Sequence, residues 1–271
     1  ESTFEYGCLD CFDYVRNIGL VSNGDDKLFN SLGQHFEMAQ YWQTFLKEND
    51  FDFNSLSSID FSGQSPVIKD LENNKFSIDF LKDKKNYYKK KSSLKKETIS
   101  RALGAGESGL RVLDLSAGLG IDAIFLAQMG YSVLALERNP LIYLALETSC
   151  KQLDAHKHDM NIIFKFADAK EYLQIESENI ASNIDLIYFD PMFPEKNKSA
   201  LARQEMVFLK KMVGDDSDAG DVLNECLKIK NIKRVVVKRP LKAKPLSEIH
   251  KPVGQVNGKI IRYEIYKGKQ C

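Results

Sequence analysis

The chain has 271 residues, 43% hydrophobic and 28% charged, with 38 basic and 38 acidic side chains and a formal net charge of zero. These values exclude a disordered chain, a collagen-like repeat and a membrane bundle, since no stretch approaches the ~20 apolar residues a spanning helix needs. Taken as a sum, zero charge also argues against a polyanion binder, but the sum hides a split: residues 1–79 carry 14 acidic and 5 basic side chains, leaving 24 and 33 for residues 80–271.

Five cysteines, Cys8, Cys11, Cys150, Cys226 and Cys271, are odd in number and irregular in spacing. That usage points to a reduced, cytoplasmic setting. Cys8-Leu-Asp-Cys11 lacks the further ligands a zinc site requires, so no metal is expected. From Gln34 to Lys47, Phe36, Trp42, Phe45 and Leu46 recur at loosely helical spacing. Ser55–Phe61 and Lys75–Phe80 read as short strands, set apart by the turn residues Ser62-Gly63 and Asn73-Asn74. Residues 1–80 are therefore expected to form a small α+β subdomain, followed by a larger domain over 81–271.

The larger domain is regular. Arg111–Leu115, Ser132–Leu136, Ile162–Phe166, Asp185–Phe189 and Arg234–Val237 are short apolar runs that read as strands. Gly120–Met129, Asn139–Leu153, Ala200–Met212 and Asp221–Lys230 read as helices, with Asn139 as an N-cap and Pro140 at a first helical position. Gln255–Val256 and Ile260–Tyr266 flank Asn257-Gly258, a hairpin signal. Strand–helix alternation with apolar strands predicts an α/β sheet covered on both faces, ending in an antiparallel hairpin.

Ligands of such a sheet bind beyond the carboxyl ends of its strands. There the first strand ends at Asp114, and Gly118 and Gly120 lead into a helix; the second strand is followed by Glu137, an acid suited to ribose hydroxyls. Gly118-Leu-Gly120-Ile-Asp-Ala123 formally matches a dinucleotide loop. A carboxylate at Asp114 would repel a pyrophosphate, however, and favours the cationic sulfonium and amine of S-adenosylmethionine. Asp168, after the third strand, lies where an adenine amine would sit and also suits a helix N-cap.

Asp190-Pro191-Met192-Phe193-Pro194 ends the fourth strand abruptly, because prolines fix φ and block sheet pairing. This resembles the [DN]-P-P-[FY] loop of methyltransferases acting on exocyclic amines of bases, with Met192 in place of the second proline. Asp190 and the Pro191 carbonyl would accept the amine's protons, and Phe193 would stack on the base. Positioning dominates such chemistry, and no covalent enzyme intermediate is expected.

Two basic runs flank this loop. Lys82–Arg101 holds nine basic residues, among them Lys89, Lys90, Lys91 and Lys95, with Tyr87-Tyr88 inside the run; Lys228–Lys244 holds eight, including Lys238 and Arg239, and no acid. Lysine and arginine interleaved with aromatics suit a nucleic-acid backbone. Lys198 and Arg203 would add phosphate contacts.

Leu113-Asp-Leu-Ser-Ala-Gly-Leu-Gly-Ile-Asp122, Leu136-Glu-Arg-Asn-Pro140, Tyr188-Phe-Asp-Pro-Met-Phe-Pro-Glu-Lys-Asn-Lys-Ser-Ala-Leu201 and Arg234-Val-Val-Val-Lys-Arg-Pro240 resemble the ribosomal small-subunit methyltransferase J family. The resemblance runs from about Phe76 to Tyr266. It implies a Rossmann-like methyltransferase sheet, S-adenosylmethionine as cofactor, and methylation of the exocyclic N2 of a guanine in bacterial small-subunit (16S) rRNA. It also implies cofactor contacts at Ile121-Asp122, Glu137-Arg138, Asp168-Ala169 and Asp190. Two other readings compete: a nicotinamide-dependent oxidoreductase on the same sheet, and a non-catalytic ribosome-assembly factor that retains a cofactor pocket.

Overall fold

The computed structural model describes residues 29–30, 36–82, 94, 96–104, 109–155, 160–192, 204–214, 216–247 and 249–269. The chain divides into two compact units between Ser77 and Ile78. Among the described residues of the first, α1 (Phe36–Glu48) accompanies a sheet ordered β1 (Phe29–Asn30), β2 (Leu56–Asp60), β3 (Val67–Asp70), β4 (Lys75–Phe76). Its core is aromatic and aliphatic: Trp42, Leu46, Ile59, Phe61, Ile68 and Phe76 are fully buried, and Trp42 meets Phe61 edge-on at 5.2 Å. The turn from β3 to β4 is built around buried Asp70, whose Oδ1 accepts the amides of Glu72 and Asn74 (2.9 Å each), with Asn73 in the left-handed region (φ 61°). β3 escaped the sequence reading because Val67 and Ile68 are its only apolar residues.

Phe80, which the sequence reading assigns to the first unit, belongs to the second. Its amide donates to Ser149 Oγ (2.9 Å) and its ring stacks on Phe164 (5.9 Å).

The second unit contains α2 (Thr98–Leu103), β5 (Arg111–Asp114), α3 (Ile121–Gln128), β6 (Ser132–Glu137), α4 (Pro140–Ala155), β7 (Ile162–Phe166) and α5 (Ala169–Ile175). After these come α6 (Ser177–Asn183), β8 (Leu186–Phe189), α7 (Gln204–Val213), α8 (Ala219–Lys228), β9 (Arg234–Pro240), β10 (Gly254–Asn257) and β11 (Ile261–Tyr266). The strand order is β10-β11-β9-β8-β5-β6-β7, parallel from β9 to β7 and antiparallel at β11 and β10. Leu113, Ile187, Val235 and Val237 cluster with Leu173, Ile180, Val222 and Leu223 from α5, α6 and α8. By the two-residue period of a strand, Val112, Tyr188 and Val236 face the other way, the side on which the Tyr188 hydroxyl meets α3.

Two differences from the sequence reading matter for the site. The spacing predicts a strand ending at Val237, yet β9 continues through Lys238 and Arg239 to Pro240, paired with Ile261–Tyr263 of β11. A pair of cations reads as the end of a strand unless its counter-charges are known. The chain also reverses direction of winding at β5, with β6 on one side and β8 on the other. This puts the β5 and β8 loops side by side at the carboxyl edge, the usual ligand crevice of an open α/β sheet.

Candidate active site

The β5 loop is held by backbone. Leu115 N–H donates to the Tyr188 carbonyl (3.0 Å) and Ala117 N–H to that of Leu136 (2.8 Å), so the loop is tied to both neighbouring strands. Gly118 (φ 53°) donates its amide to Glu137 Oε2 (2.9 Å), while Glu137 Oε1 accepts from Asn139 N–H (2.8 Å). Burial pushes the Glu137 carboxyl up to about 7, against the opposing pull of those two amides. Asn139 in turn caps α4, its Oδ1 accepting the amides of Leu141 (3.0 Å) and Ile142 (3.2 Å).

The two glycines differ. Gly118 lines the cavity at the carboxyl edge. Gly120 (φ 73°) faces inward: a Cβ there would stand 2.9 Å from Leu146 Cδ2 and 3.0 Å from Phe80 Cζ. Asp114 also lies behind the wall. It is fully buried, accepts Ser116 N–H at Oδ1 (3.0 Å), and desolvation pushes it up to about 8, so at pH 7 it is mostly a neutral acid. Asp114 therefore does not supply the cavity charge expected from the sequence. Asp114 is not on the cavity surface, and the carboxylates that are include Asp122, Glu137, Asp168 and Asp190.

The β8 loop is held by side chains. Asp190 N–H donates to Ser116 Oγ (2.7 Å), joining this loop to the glycine loop. Lys238 Nζ stands 2.8 Å from Asp190 Oδ2 and 2.8 Å from Asp122 Oδ2, and the Tyr188 hydroxyl donates to the same Asp122 oxygen (2.6 Å). Met192 N–H donates to Asp216 Oδ2 (2.6 Å), and Asp216 N–H returns a bond to the Met192 carbonyl (3.0 Å). A proline at this position has no N–H to give, so Met192 makes a bond that the second proline of the [DN]-P-P-[FY] loop could not. Asp216 also pairs with Arg138, which lies 3.5 Å from Asp218 and 4.0 Å from Asp168.

These groups surround a cavity of about 790 Å³, inside the range of roughly 300–1,000 Å³ typical of small-molecule sites. Of the expected residues, Gly118, Ile121, Asp122, Glu137, Arg138, Asp168, Ala169, Asp190 and Pro191 line it. Asp168 does double duty, since its Oδ1 also caps α5 through Glu171 N–H (3.1 Å). Phe193, Lys89, Lys90, Lys91, Lys95, Lys198 and Arg203 lie outside the described residues, as do Cys8, Cys11 and Cys271. Cys150 and Cys226 are buried free thiols.

Lys238 and Arg239, expected on an RNA surface, are instead turned into the cavity wall. The Lys238 ammonium is engaged by two carboxylates. Arg239 is 4% exposed and donates from Nη2 to the Lys244 carbonyl (2.5 Å). Counting basic residues along the chain could not reveal this, because the acids that face Lys238 come from α3 and the β8 loop, and the one nearest in effect to Arg239, Glu264, comes from β11. Ser116, Tyr188, Asp216 and Asp218 were missed. For the last two the signal was a short acidic patch in an otherwise basic half.

The cavity fits a cationic nucleoside better than a dinucleotide. The first turn of α3, where a pyrophosphate would sit, presents Asp122 instead, and Asp190 stands close by. A family model described as "Putative SAM-dependent methyltransferase" matches residues 59–268. A ribosomal RNA small subunit methyltransferase J from Bdellovibrio bacteriovorus is 40% identical over 202 residues, covering 73% of this chain and 77% of the relative. The chain belongs to this methyltransferase family. A second relative of the same name, from Thioalkalivibrio sulfidiphilus, is 37% identical over 194 residues, covering 70% and 74%. A crystal structure of a SAM-dependent methyltransferase from Neisseria gonorrhoeae superposes with a TM-score of 0.59 at 22% identity, covering 83% of this chain and 90% of that one, and shares the fold. The protein is a methyltransferase and its cofactor is S-adenosylmethionine. Among the described residues no helix is long and apolar enough to cross a membrane.

Proposed function

We propose that the enzyme methylates the exocyclic N2 of a guanine in bacterial small-subunit (16S) rRNA, in the cytoplasm, on free rRNA or on the small ribosomal subunit. The observation that carries this reading is the Asp190-Pro191 pair standing on the same cavity wall as Gly118 and Glu137. It brings an amine acceptor beside the proposed cofactor contacts. The names of the relatives, which act on ribosomal RNA of the small subunit, support the substrate class.

When bound, S-adenosylmethionine supplies a methyl group on a cationic sulfur. Gly118, Ile121, Asp122, Glu137, Arg138, Asp168 and Ala169 would hold it, with Glu137 toward the ribose and Asp168 toward the adenine. An exocyclic amine is a poor nucleophile because its lone pair is delocalised into the ring. Asp190 and the Pro191 carbonyl would accept its protons, which would turn the lone pair toward the methyl group, and Phe193 would stack on the base. On gaining the methyl group the amine nitrogen would give up one proton, which Asp190, on the cavity wall, is placed to accept. Asp114 and Gly120 serve from behind, fixing the loop. Lys89, Lys90, Lys91, Lys95, Lys198 and Arg203 would meet phosphates, with the salt dependence that counterion release imposes.

The test is methylation of unmodified 16S rRNA and of small subunits carrying it, using isotope-labelled cofactor and mass mapping of the product. Label on a single guanine N2 is expected. Label on another base, or none on either substrate, overturns the reading.

A further inference from the structure

Lys238 is the cation nearest the proposed amine acceptor, yet it is not free to bind a phosphate. Its ammonium touches Asp190 Oδ2 and Asp122 Oδ2 at 2.8 Å each, from a β9 position paired with Tyr263 of β11. Both carboxylates therefore lie within hydrogen-bond reach of one nitrogen, and without it they would be close neighbours of like charge. Among the described residues Asp190 Oδ1 accepts no hydrogen bond, and Asp190 lines the cavity. From this geometry, and resting on the reading of Asp190 above, we propose that Lys238 is a positioning residue for methyl transfer. It clamps Asp190 Oδ2 into the wall against Asp122 and leaves Oδ1 as the carboxylate oxygen that meets the amine.

The electrostatics of the surroundings support the assignment. Burial pushes Asp190 above the ordinary carboxylate range, and Asp122 and Asp216 add to that push; Lys238 opposes all three. Asp122 is held below its usual value by Lys238 and by the Tyr188 hydroxyl. The remaining ionisable neighbours are Asp114 on β5, Tyr188 on β8 and Tyr263 on β11; at neutral pH Asp114 is mostly neutral, and burial raises both tyrosines. Lys238 is thus the cation that keeps Asp190 able to accept a proton. Removing it leaves two half-buried acids, close to one another, that favour sharing one proton, the behaviour of paired carboxylates.

The experiment is the pH profile of single-turnover methylation by wild type, Lys238→Met, Lys238→Arg, Asp122→Asn and Asp190→Ala, with cofactor KM measured in parallel. Lys238→Met is expected to lose about 100-fold in turnover at pH 7. Its acidic limb should move to higher pH, so that activity recovers as the pH rises, with cofactor KM changed by less than about 3-fold. Lys238→Arg keeps the charge and should restore the limb. Asp122→Asn removes a like charge and should move the limb the other way, to lower pH, which keeps the proposal testable even where Lys238→Met folds poorly. A limb that stays in place in Lys238→Met and Asp122→Asn overturns the proposal. So does a Lys238→Met defect confined to RNA KM and its salt dependence, which would make Lys238 a phosphate contact. Full activity in Asp190→Ala instead overturns the role of Asp190 itself.

Discussion

Two acids at the carboxyl edge, Glu137 at the end of β6 and Asp190 after β8, are held by different means. Glu137 is fixed by two peptide N–H groups, from Gly118 and Asn139, which are neutral donors. Asp190 is fixed by an ammonium shared with a second carboxylate. Neutral dipoles fix direction and only partly offset burial, so Glu137 titrates near 7. The full charge on Lys238 opposes burial at Asp190, whose carboxyl still lies above the ordinary range, and commits one oxygen of Asp190. The first arrangement suits an acid that must point at hydroxyls; the second suits one that must stay an acceptor beside a reacting nitrogen.

Four experiments would break or sharpen that contrast. Asp190→Ala should lower turnover by about 10²–10⁴-fold, the usual worth of a positioned proton acceptor, while circular dichroism stays native and cofactor binding changes little. A comparable loss of cofactor binding would erase the distinction between the two acids. Cofactor affinity, measured by titration calorimetry, should weaken about 10-fold between pH 8 and pH 6 as Glu137 takes up its proton, and Glu137→Gln should bind weakly with a flat profile. The stability consequence runs in the same residue. Its folded pKa, about 7, lies above the ordinary 4.5. The folded chain therefore binds the proton more tightly, and stability falls as the pH rises from 4.5 through 7.

Met192→Pro tests the side-chain-held loop from another direction. It deletes the N–H donated to Asp216 and leaves that carboxylate without the bond, so it should cost about 1–3 kcal/mol in urea unfolding and slow turnover. An unchanged enzyme would mean that the reciprocal Met192–Asp216 pairing does not hold the loop. Two further substitutions separate the two glycines. Gly120→Ala drives a methyl against Leu146 and Phe80 from a left-handed backbone and should cost about 2–4 kcal/mol. Gly118→Ala has 3.6 Å to its nearest neighbour, Leu209, and should cost only the backbone penalty of about 1–2 kcal/mol. It should show itself instead in cofactor affinity.

Where the layout of the site depends on residues close in sequence, it was legible. The strand ends at Asp114, Glu137 and Asp190 followed from apolar runs that stop at an acid, and they lie together because β5 is the point where the winding reverses. The Asp-Pro loop was legible because proline leaves few alternatives for the backbone. Layout that depends on pairing across elements was not. Lys238 reads as one of eight cations in a run, and only its contact with Asp122 from α3 and Asp190 from the β8 loop removes it from a solvent-facing surface. Asp114 misled for a related reason: the sequence shows a charged side chain at a strand end, whereas full burial makes the proton-bound form dominant. α6 escaped because a helix with Ile180 as its one buried residue carries almost no periodic signal.

The buried acids behind and beside the glycine loop also make folding a proton-uptake reaction. At pH 6 Asp114, with a folded pKa of about 8 against an ordinary 3.8, and Glu137, at about 7 against 4.5, are both mostly protonated in the folded chain and mostly ionised when it unfolds. Unfolding at that pH releases those protons to the buffer. The calorimetric heat of melting will then contain the buffer's own heat of protonation. Phosphate and imidazole, matched in pH and ionic strength, will report different enthalpies for the same transition, and the difference counts the protons.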